Sequence, residues 1–581
     1  MDEENLGRSD ASDPRRAARS PWYLGVDIGT TALAASLFNR ETGQHCAIAW
    51  IKKTGEGQPS VAALPSGLHS FKPYLNSAIP YLSPMTQQWE PLMVRSPTQH
   101  SPLIQVQHQL TTLLTTLRSS GSDLSCTAEG LDDHVFQSAL QQLAGVVVNQ
   151  PVGASDAYRF NIREAVLAAG LVSQPENIFF VEEVVAALLA ELHHPSTTNS
   201  VGAAVLQPIP VTGGVLIVSA GATTTELALA QAPEAGVNLT RAKVQQRRLA
   251  YAGNAIDQDI ICQLIYPMTS DWDDLRLGNL DLPLPGEPDL EARYALQQHL
   301  EGSLHGQKRL NAVRKIKPSL CQHDAEAIAD SPKTALKHGD FYGWVLSPYL
   351  QQLNRELNLL LSQSGMTADQ IQRVVCTGGT GSIPAIAQRL QQKFPQAQVV
   401  QDGCNSEANS RGDRVAKGLS VLPRFPQMLD SIRHQYSDYF LLQELLKLPI
   451  QANEALSASQ ILQRLEQQGV NIAACKSTLV SFLDGQLPTG LVPSKATALL
   501  ITSSQTADYQ ALTAAPLFSR QDHHYRLNHQ QRDRLWHHLQ TILAQTDQTL
   551  EAPLTVGLKE SEPSYRTPKT TIFSTNQRSG S

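Results

Sequence analysis

The chain has 581 residues, of which 41% are hydrophobic and 17% are charged, and its formal net charge is −7. This length and composition predict an ordinary soluble protein with several domains, and the net negative charge argues against broad nucleic-acid binding. Seven cysteines without metal-like spacing predict reduced thiols rather than a zinc site.

From the sequence we expect neither a membrane-spanning segment nor a secretion signal. No apolar run reaches the length of about 18 residues that a spanning helix needs, and the N-terminus lacks a hydrophobic signal core. We therefore expect a cytoplasmic protein with no membrane partner. Residues 1–20 are charged and small, and residues 561–581 are rich in Ser, Thr and Pro, so both segments are predicted to be disordered tails.

The first motif lies at Leu24–Thr31, which reads LGVDIGTT and predicts a strand that opens into a turn. Gly29 lets the backbone approach an anion, and Thr30 and Thr31 offer hydroxyl and N–H donors, so this turn is a candidate phosphate loop. Asp27 is a candidate ligand of a hydrated divalent cation, while the alternative is an aspartate that caps the turn.

Two further turns of small residues follow along the chain. Val215–Glu226 reads VLIVSAGATTTE, which predicts a second phosphate hairpin with Gly221, Thr223 and Thr224 as candidate contacts. Val374–Pro384 reads VVCTGGTGSIP, in which Gly378 and Gly379 can pass under a flat ring before a helix that starts at the proline.

The order and separation of these three motifs resemble the sugar kinase, actin and heat-shock ATPase superfamily. The linking segments GVVVNQP at 145–151, FFVEEVVAAL at 179–188 and AGNAID at 252–257 resemble most closely the 70-kDa heat-shock protein (DnaK-type) ATPase domain. The resemblance covers about residues 22–425.

The resemblance implies an α/β fold for residues 21–425, namely a two-lobed actin-like ATPase with duplicated ribonuclease-H-like lobes. It implies ATP or ADP with Mg²⁺ in the interlobe cleft, with Asp27 in the metal shell and Glu183 orienting the attacking water. The alternative for Glu183 is a residue that only caps the following helix. By the same resemblance, Pro151, Arg159 and Glu183 pass the nucleotide state to an appended domain.

The chain also departs from the family pattern. Ser219 stands where the family has an aspartate at the second hairpin, and this loss of charge predicts nucleotide binding with slow or impaired hydrolysis. Ser382 replaces the family's arginine after the glycine pair. Lys317 alone is retained from the adenine-contacting helix, and Pro318 is expected to end or kink that helix. Lys72 is either the counterpart of the family's phosphate-reaching lysine or a solvent-exposed lysine.

The C-terminal region does not match the peptide-gripping β-sandwich of DnaK-type proteins. Residues 426–500 predict a helical module with helices at Tyr439–Leu448, Ser457–Leu465 and Ile472–Leu483. Residues 501–560 predict a small α/β extension, with strands near 497–502 and 553–558 around a helix at 526–546.

The three helices also fit a helix-turn-helix, but residues 427–500 contain five Lys/Arg and six Asp/Glu and therefore offer no charge footprint for phosphates. Protein interaction is the preferred interpretation. A later group of histidines predicts a solvated face rather than a metal site. They are His523, His524, His529, His537 and His538.

The leading hypothesis is a divergent chaperone-type protein that binds ATP with Mg²⁺, hydrolyses it weakly, and controls an unidentified client or partner protein through the C-terminal module. One alternative is a non-catalytic nucleotide-sensing scaffold. Another is an actin-like filament or pilus-platform protein. A sugar kinase is disfavoured because no sugar-binding signature accompanies the hairpins. No nucleic-acid partner is expected.

Overall fold

The structure of the protein is a computed structural model, and it describes fifteen stretches of the chain. They are residues 20–52, 62–64, 71–96, 99–118, 124–193, 212–233, 239–268, 277, 280–321, 326–328, 335–402, 413–429, 436–493, 499–500 and 507–550. The predicted disordered tails and the predicted strand near 553–558 lie outside these residues, apart from Ser20. No helix within these stretches combines the length and apolar character needed to cross a bilayer.

The first lobe, lobe I, alternates strands and helices between residues 22 and 192. Its strands are β1 (Trp22–Ile28), β2 (Ala32–Asn39), β3 (His45–Lys52), β4 (Ala62–Ala63), β5 (Tyr81–Leu82), β6 (Trp89–Glu90), β7 (Leu92–Ser96), β8 (Gln99–Pro102), β9 (Leu124–Ala128), β10 (Gly145–Gln150) and β11 (Ile178–Glu182). Its helices are α1 (Lys72–Ser77), α2 (Ile104–Thr115), α3 (Asp133–Gln141), α4 (Asp156–Ala168) and α5 (Glu183–Leu192).

The main sheet of lobe I has the strand order β11-β10-β1-β2-β3-β9, with the short β4 paired beside β2. Strand β1 runs parallel to β10 and antiparallel to β2. Every residue of β10 is buried, and its run of valines is typical of a strand that is covered on both faces.

The second lobe, lobe II, occupies residues 214–420. Its strands are β12 (Gly214–Ala220), β13 (Thr225–Gln231), β14 (Gln245–Leu249), β15 (Glu326–Ile328), β16 (Ala335–Lys337), β17 (Ile371–Thr377) and β18 (Gln398–Gln401). Its helices are α6 (Gly253–Asp259), α7 (Leu290–Glu301), α8 (Leu304–Leu320), α9 (His338–Phe341), α10 (Ser347–Ser364), α11 (Pro384–Lys393) and α12 (Asp413–Ser420). The predicted helix start at Pro384 is confirmed.

The two sheets repeat one topology. The order β14-β13-β12-β17-β18 in lobe II matches the order β3-β2-β1-β10-β11 in lobe I. The directions match as well, because β12 is antiparallel to β13 and parallel to β17. The protein is therefore an α/β protein with two mixed sheets flanked by helices, which is consistent with the predicted pair of α/β lobes.

Helices α5 and α12 cross between the two sheets. A Cβ atom on Gly418 of α12 would lie 1.7 Å from the carbonyl oxygen of Ala186 in α5, so only glycine permits this approach. The helices share one apolar core with both sheets, since Val147 of β10 and Ile217 of β12 belong to the same buried cluster. The lobes are thus joined by a packed layer rather than by the chain alone.

The C-terminal module follows lobe II. It contains α13 (Asp438–Lys447), β19 (Ala455–Ser457), α14 (Ala458–Gln467), α15 (Ile472–Leu483), α16 (Ala507–Thr513), β20 (Phe518–Gln521), β21 (His524–Leu527) and α17 (His529–Leu543). The three predicted helices between 439 and 483 are confirmed, whereas the predicted helix at 526–546 begins later because residues 524–527 pair in a hairpin.

A three-stranded antiparallel sheet of order β19-β21-β20 ties the module together. It pairs residues 455–457 with residues 524–527, so the helical and α/β segments share one core. Of the predicted strand near 497–502, the structure describes Leu499 and Leu500, and the latter forms an isolated bridge with Met93.

The module packs on lobe I, mainly against α4. The ring of Tyr439 lies edge-on to Phe160 at 5.4 Å between centroids. The backbone N–H of Asp438 donates to the Asp156 carboxylate, and Gln548 Nε2 donates to Glu164 Oε2 at 3.0 Å.

Candidate functional site

The first predicted phosphate loop is the turn between β1 and β2. The backbone N–H of Gly29 donates to the carbonyl oxygen of Ala32 at 2.9 Å and closes the turn. Thr30 is partly exposed and Thr31 is exposed, while Asp27 at the end of β1 is partly exposed. The two threonines are therefore accessible at one end of the lobe I sheet, whereas Asp27 is only partly so.

The second loop, between β12 and β13, has the same closure. The N–H of Gly221 donates to the oxygen of Thr224 at 3.0 Å. The last paired residues before each turn are Ile28 with Leu33 and Ala220 with Thr225.

In each hairpin, four residues lie between the two members of the last pair. Gly29 and Gly221 are therefore at equivalent positions, and Ser219 of lobe II occupies the position that Asp27 occupies in lobe I.

The glycine pair after β17 contacts the second loop. The Thr380 hydroxyl donates to the carbonyl oxygen of Gly221 at 2.6 Å, and the Gly253 N–H donates to the same oxygen at 3.2 Å. Gly378 has a φ of +86°, a conformation that glycine adopts without strain. Added to Gly379, a Cβ would meet nothing within 4 Å, so the chain leaves room there for a flat group.

Ser382 and Lys317 lie at the edge of this lobe II cluster. Ser382 is exposed at its hydroxyl, which donates to the oxygen of Gly379 at 2.8 Å. Lys317 Nζ donates to Asp257 Oδ1 at 2.7 Å and to the oxygen of Gly253 at 3.2 Å. Helix α8 continues through Pro318 to Leu320, so the predicted end of the helix at the proline is wrong.

A buried ion pair lies beside the first loop. Lys72 Nζ is 2.5 Å from Glu183 Oε1, and the exposed fractions of the two side chains are 11% and 20%. Asn149 Nδ2 donates to the same Glu183 oxygen at 2.9 Å, and Asn149 Oδ1 accepts from the Ile28 N–H at 2.8 Å. The solvent-exposed alternative for Lys72 is therefore wrong, and Glu183 does more than start helix α5.

The charges of this group shift each other's protonation. Burial, together with the Glu183 carboxylate, raises the pKa of Asp27 to about 7, although Lys72 opposes the rise. Burial by itself lowers the pKa of Lys72, but Glu183 outweighs it and the pKa of the ammonium lies above its ordinary value. The site therefore contains a lysine, Lys72, that stays protonated at neutral pH, and a carboxyl group, Asp27, that titrates near neutral pH.

The sequence analysis missed Glu226, a buried carboxyl group in β13. Its Oε1 accepts from the Val152 N–H of lobe I at 2.9 Å, while its Oε2 is buried without a partner among the described residues. Burial, and then the charge of Glu183, raises the pKa of Glu226 to about 8. The motif VSAGATTTE contained the signal, because a four-residue turn places its Ser and Glu opposite each other.

Tyr158 of α4 is a second missed residue near this group. Its ring is fully buried, and its hydroxyl has no hydrogen-bond partner among the described residues. Burial raises the pKa of the phenol to about 12, opposed by Lys72 and reinforced by Glu183. The phenol is therefore an unused donor at neutral pH.

Within the described residues, no group of three or more His, Cys, Asp and Glu side chains could hold a metal ion. Mg²⁺ commonly keeps several waters and takes one or two carboxylates together with substrate phosphates. Asp27 fits that kind of ligand set and does not by itself form a metal cage.

The histidine group also forms no metal cluster. His523, His524 and His537 are exposed, as predicted for a solvated face, but His538 is buried with its ring 4.8 Å from that of Tyr81. Burial lowers the pKa of His538 to about 4. The solvated-face prediction is wrong for this residue because it anchors the module to lobe I.

No protein-family model matches the chain, and no curated protein matches it. The resemblance to the heat-shock ATPases is therefore an expectation from the sequence motifs.

Proposed function

We propose that the protein binds ATP with Mg²⁺ between its lobes, as a divergent relative of the DnaK-type chaperone ATPases with actin-like, ribonuclease-H-like lobes. The observation that carries this proposal is the repeated loop. Gly29 and Gly221 close identical turns at equivalent positions of two sheets with the same strand order. Backbone N–H groups and hydroxyls in such turns suit phosphate oxygens.

The residues around the loops suit a bound polyphosphate. Lys72 supplies a positive charge that the Glu183 carboxylate holds in place. Bound Mg²⁺ would neutralise part of the phosphate charge, with Asp27 as the carboxylate nearest to the first loop. Gly379 leaves space for a base, and Ser382 offers a hydroxyl where the family has an arginine.

Hydrolysis is proposed to be slow. Ser219 cannot accept a proton from an attacking water, and Glu226 retains its proton at pH 7 because its pKa is about 8. Glu183 accepts hydrogen bonds from both Lys72 and Asn149, which orients its carboxylate. Glu183 is therefore the residue that we assign to orient water, with Lys72 stabilising the charge that develops.

The cleft is connected to the C-terminal module by a chain of contacts. Glu226 accepts from the Val152 N–H, and Arg159 Nη1 donates to the oxygen of Ala154 at 3.1 Å in the same loop. Arg159 also pairs with Asp156, which accepts from the N–H of Asp438 in the module. Movement of the lobes would pull on this loop and so on the docked module.

A nucleotide-sensing scaffold is the second candidate. Ser219 and the protonated Glu226 are the specific observations in its favour, since both leave the second loop without a negative charge at neutral pH. Such a protein would bind nucleotide and move the module without turnover.

Calorimetry of Mg-ATP binding and single-turnover hydrolysis on the same protein test the proposal. Wild type is compared with Asp27→Ala, Ser219→Asp and, as a matched control, Asp132→Ala, which removes an exposed carboxylate at the start of α3. We expect binding that Asp27→Ala weakens and Asp132→Ala does not, with turnover that Ser219→Asp accelerates. Binding without turnover in every form supports the scaffold, and no binding in wild type refutes both candidates.

A further inference from the structure

The C-terminal module has the element order of a winged helix-turn-helix. Helix α13, strand β19 and helices α14 and α15 follow in sequence, and the hairpin β20–β21 comes next after the short helix α16; β21 lies in the middle of the sheet. Helices α14 and α15 are joined by residues 468–471, in which Gly469 has a φ of +94°. A turn of three or four residues that often contains glycine is typical of helix-turn-helix motifs.

From this arrangement we infer that the module binds duplex DNA, with α15 in the major groove and the β20–β21 hairpin, the wing, beside it. Helix α15 has 12 residues and is thus about 18 Å long, which suits the groove. The inference goes beyond the nucleotide site and does not depend on it.

The wing is fastened next to the end of α15. Tyr525 donates from its hydroxyl to Asp484 Oδ1 at 2.9 Å, and Arg520 Nη1 lies 3.6 Å from the same oxygen. The side chain of Arg520 is 57% exposed. The helix and the wing therefore present one continuous surface.

Among the described residues, the module meets lobe I away from this surface. The contacts come from α13, α16, α17, residues 545–548, residues 499–500 and the segment around Gly490, whose oxygen accepts from the Ile79 N–H at 3.1 Å. No hydrogen bond or ion pair of α15 or the wing, within the described residues, reaches lobe I. Ala473, Lys476 and Ser477 of α15 are exposed.

The net charge of α15 and the wing differs from that of residues 427–500, because residues 427–500 do not include the wing. Residues 471–484 and 518–527, which contain α15 and the wing, hold three basic and two acidic side chains and so carry a formal net charge of +1, within a chain of net charge −7. The basic residues are Lys476, Arg520 and Arg526, and the acidic ones are Asp484 and Asp522.

One of the two acidic side chains on this surface is already engaged, because Asp484 accepts a hydrogen bond from Tyr525 and lies 3.6 Å from Arg520. Other aspartates of the module lie at the opposite side, where Asp508 accepts from Ser83 of lobe I at 2.7 Å. The surface of α15 and the wing therefore carries a small net positive charge, which suits contact with phosphates.

Fluorescence anisotropy of the full chain with a labelled DNA duplex of mixed sequence, between about 50 and 200 mM salt, tests this inference. Wild type is compared with the double variant Lys476→Ala/Arg520→Ala. The matched control Lys308→Ala/Lys315→Ala removes two exposed charges from α8 of lobe II. Circular dichroism establishes that each variant is folded.

We expect wild type to bind the duplex, and the double variant to bind more weakly with the slope of log K against log salt reduced in magnitude by about 2. The control should bind like wild type. No binding at the lowest salt, or equal binding by the double variant, overturns the inference and leaves a protein as the partner of this surface. Equal competition by a single-stranded oligonucleotide overturns the groove-binding mode.

Discussion

Ser219 and Glu226 are direct cross-strand partners in the hairpin of lobe II. Directly opposed residues project on the same face of a sheet, so a buried carboxyl group lies beside the position where the family has its aspartate. Burial, and then the charge of Glu183, raises the pKa of this carboxyl group to about 8, so it is mostly protonated at pH 7.

Glu226→Gln tests this proton. The folded pKa of about 8 lies above the ordinary value of 4.5, so the folded state holds a proton that the unfolded state releases between those values. Stability from this group is complete below pH 4.5 and is lost as pH rises to about 8. We expect wild type to lose a few kcal/mol more than Glu226→Gln across this range. Urea unfolding at several pH values measures the free energy of unfolding of both proteins. The same pH dependence in wild type and Glu226→Gln would contradict the assignment.

The same variant tests whether the Glu226 carboxylate takes part in hydrolysis. If its carboxylate assists the attacking water, single-turnover hydrolysis rises as pH passes 8 in wild type and stays flat in Glu226→Gln. The Mg-ATP affinity at pH 7 should be nearly equal in the two proteins, because both carry an uncharged side chain there. A large loss of affinity at pH 7 would instead show that the carboxylate charge is needed for binding.

Lys72→Met should be strongly destabilising. It removes the partner of Glu183, whose carboxylate then stays in a mostly buried site, and the expected cost is about 2–4 kcal/mol after allowance for partial exposure. The matched control is Lys447→Met, which breaks a pair with Glu444 in which the lysine is 40% exposed, and it should cost less than about 1 kcal/mol. Denaturant unfolding compares the two, and equal costs would contradict a buried pair.

Gly418→Ala should loosen the joint between the lobes. The new methyl group would meet the oxygen of Ala186, a backbone atom that cannot turn away, and overpacking of this kind costs about 2–3 kcal/mol or more. Gly339→Ala in α9 meets nothing within 4 Å and should be neutral or slightly stabilising. Thermal unfolding distinguishes them, and a tolerated Gly418→Ala would disprove the close crossing.

Tyr439→Leu should weaken docking of the C-terminal module. The tyrosine packs edge-on against Phe160 and donates to the oxygen of Thr489 at 2.6 Å, so its loss removes contacts across and within the interface. We expect faster amide exchange along α4 and α13 with little change in β12 or β17. Tyr342→Leu, at a residue that is 43% exposed, is the control, and identical exchange in all three proteins would refute the docking role.

Local patterns predicted the parts of the fold that local chemistry specifies. The two hairpins, the helix start at Pro384 and the helix that begins beside Ser457 each depend on a few neighbouring residues. Each depends on turn chemistry or on a cap, which a short window of sequence contains.

The remaining features depend on distant contacts. Lys72 is buried because it pairs with Glu183, which is far from it in the sequence. The strand at 455–457 forms by pairing with residues that lie 67 or more positions later. His538 reads as a surface histidine in an amphipathic helix, but Tyr81 of another domain covers it. Such pairings depend on how whole elements dock, and no window of neighbouring residues contains them.

The crossing of α5 and α12 has a consequence for how the chain can be divided. Helix α5 belongs to lobe I by sequence but packs on β12 and β13, whereas α12 follows lobe II and packs on β1, β2 and β10. A chain cut between His193 and Thr212 would give two fragments, each missing the apolar cover that the other carries. Neither should fold alone, while the pair mixed together should reassemble. On this expectation, folding requires both halves of the chain together but not an unbroken backbone between them.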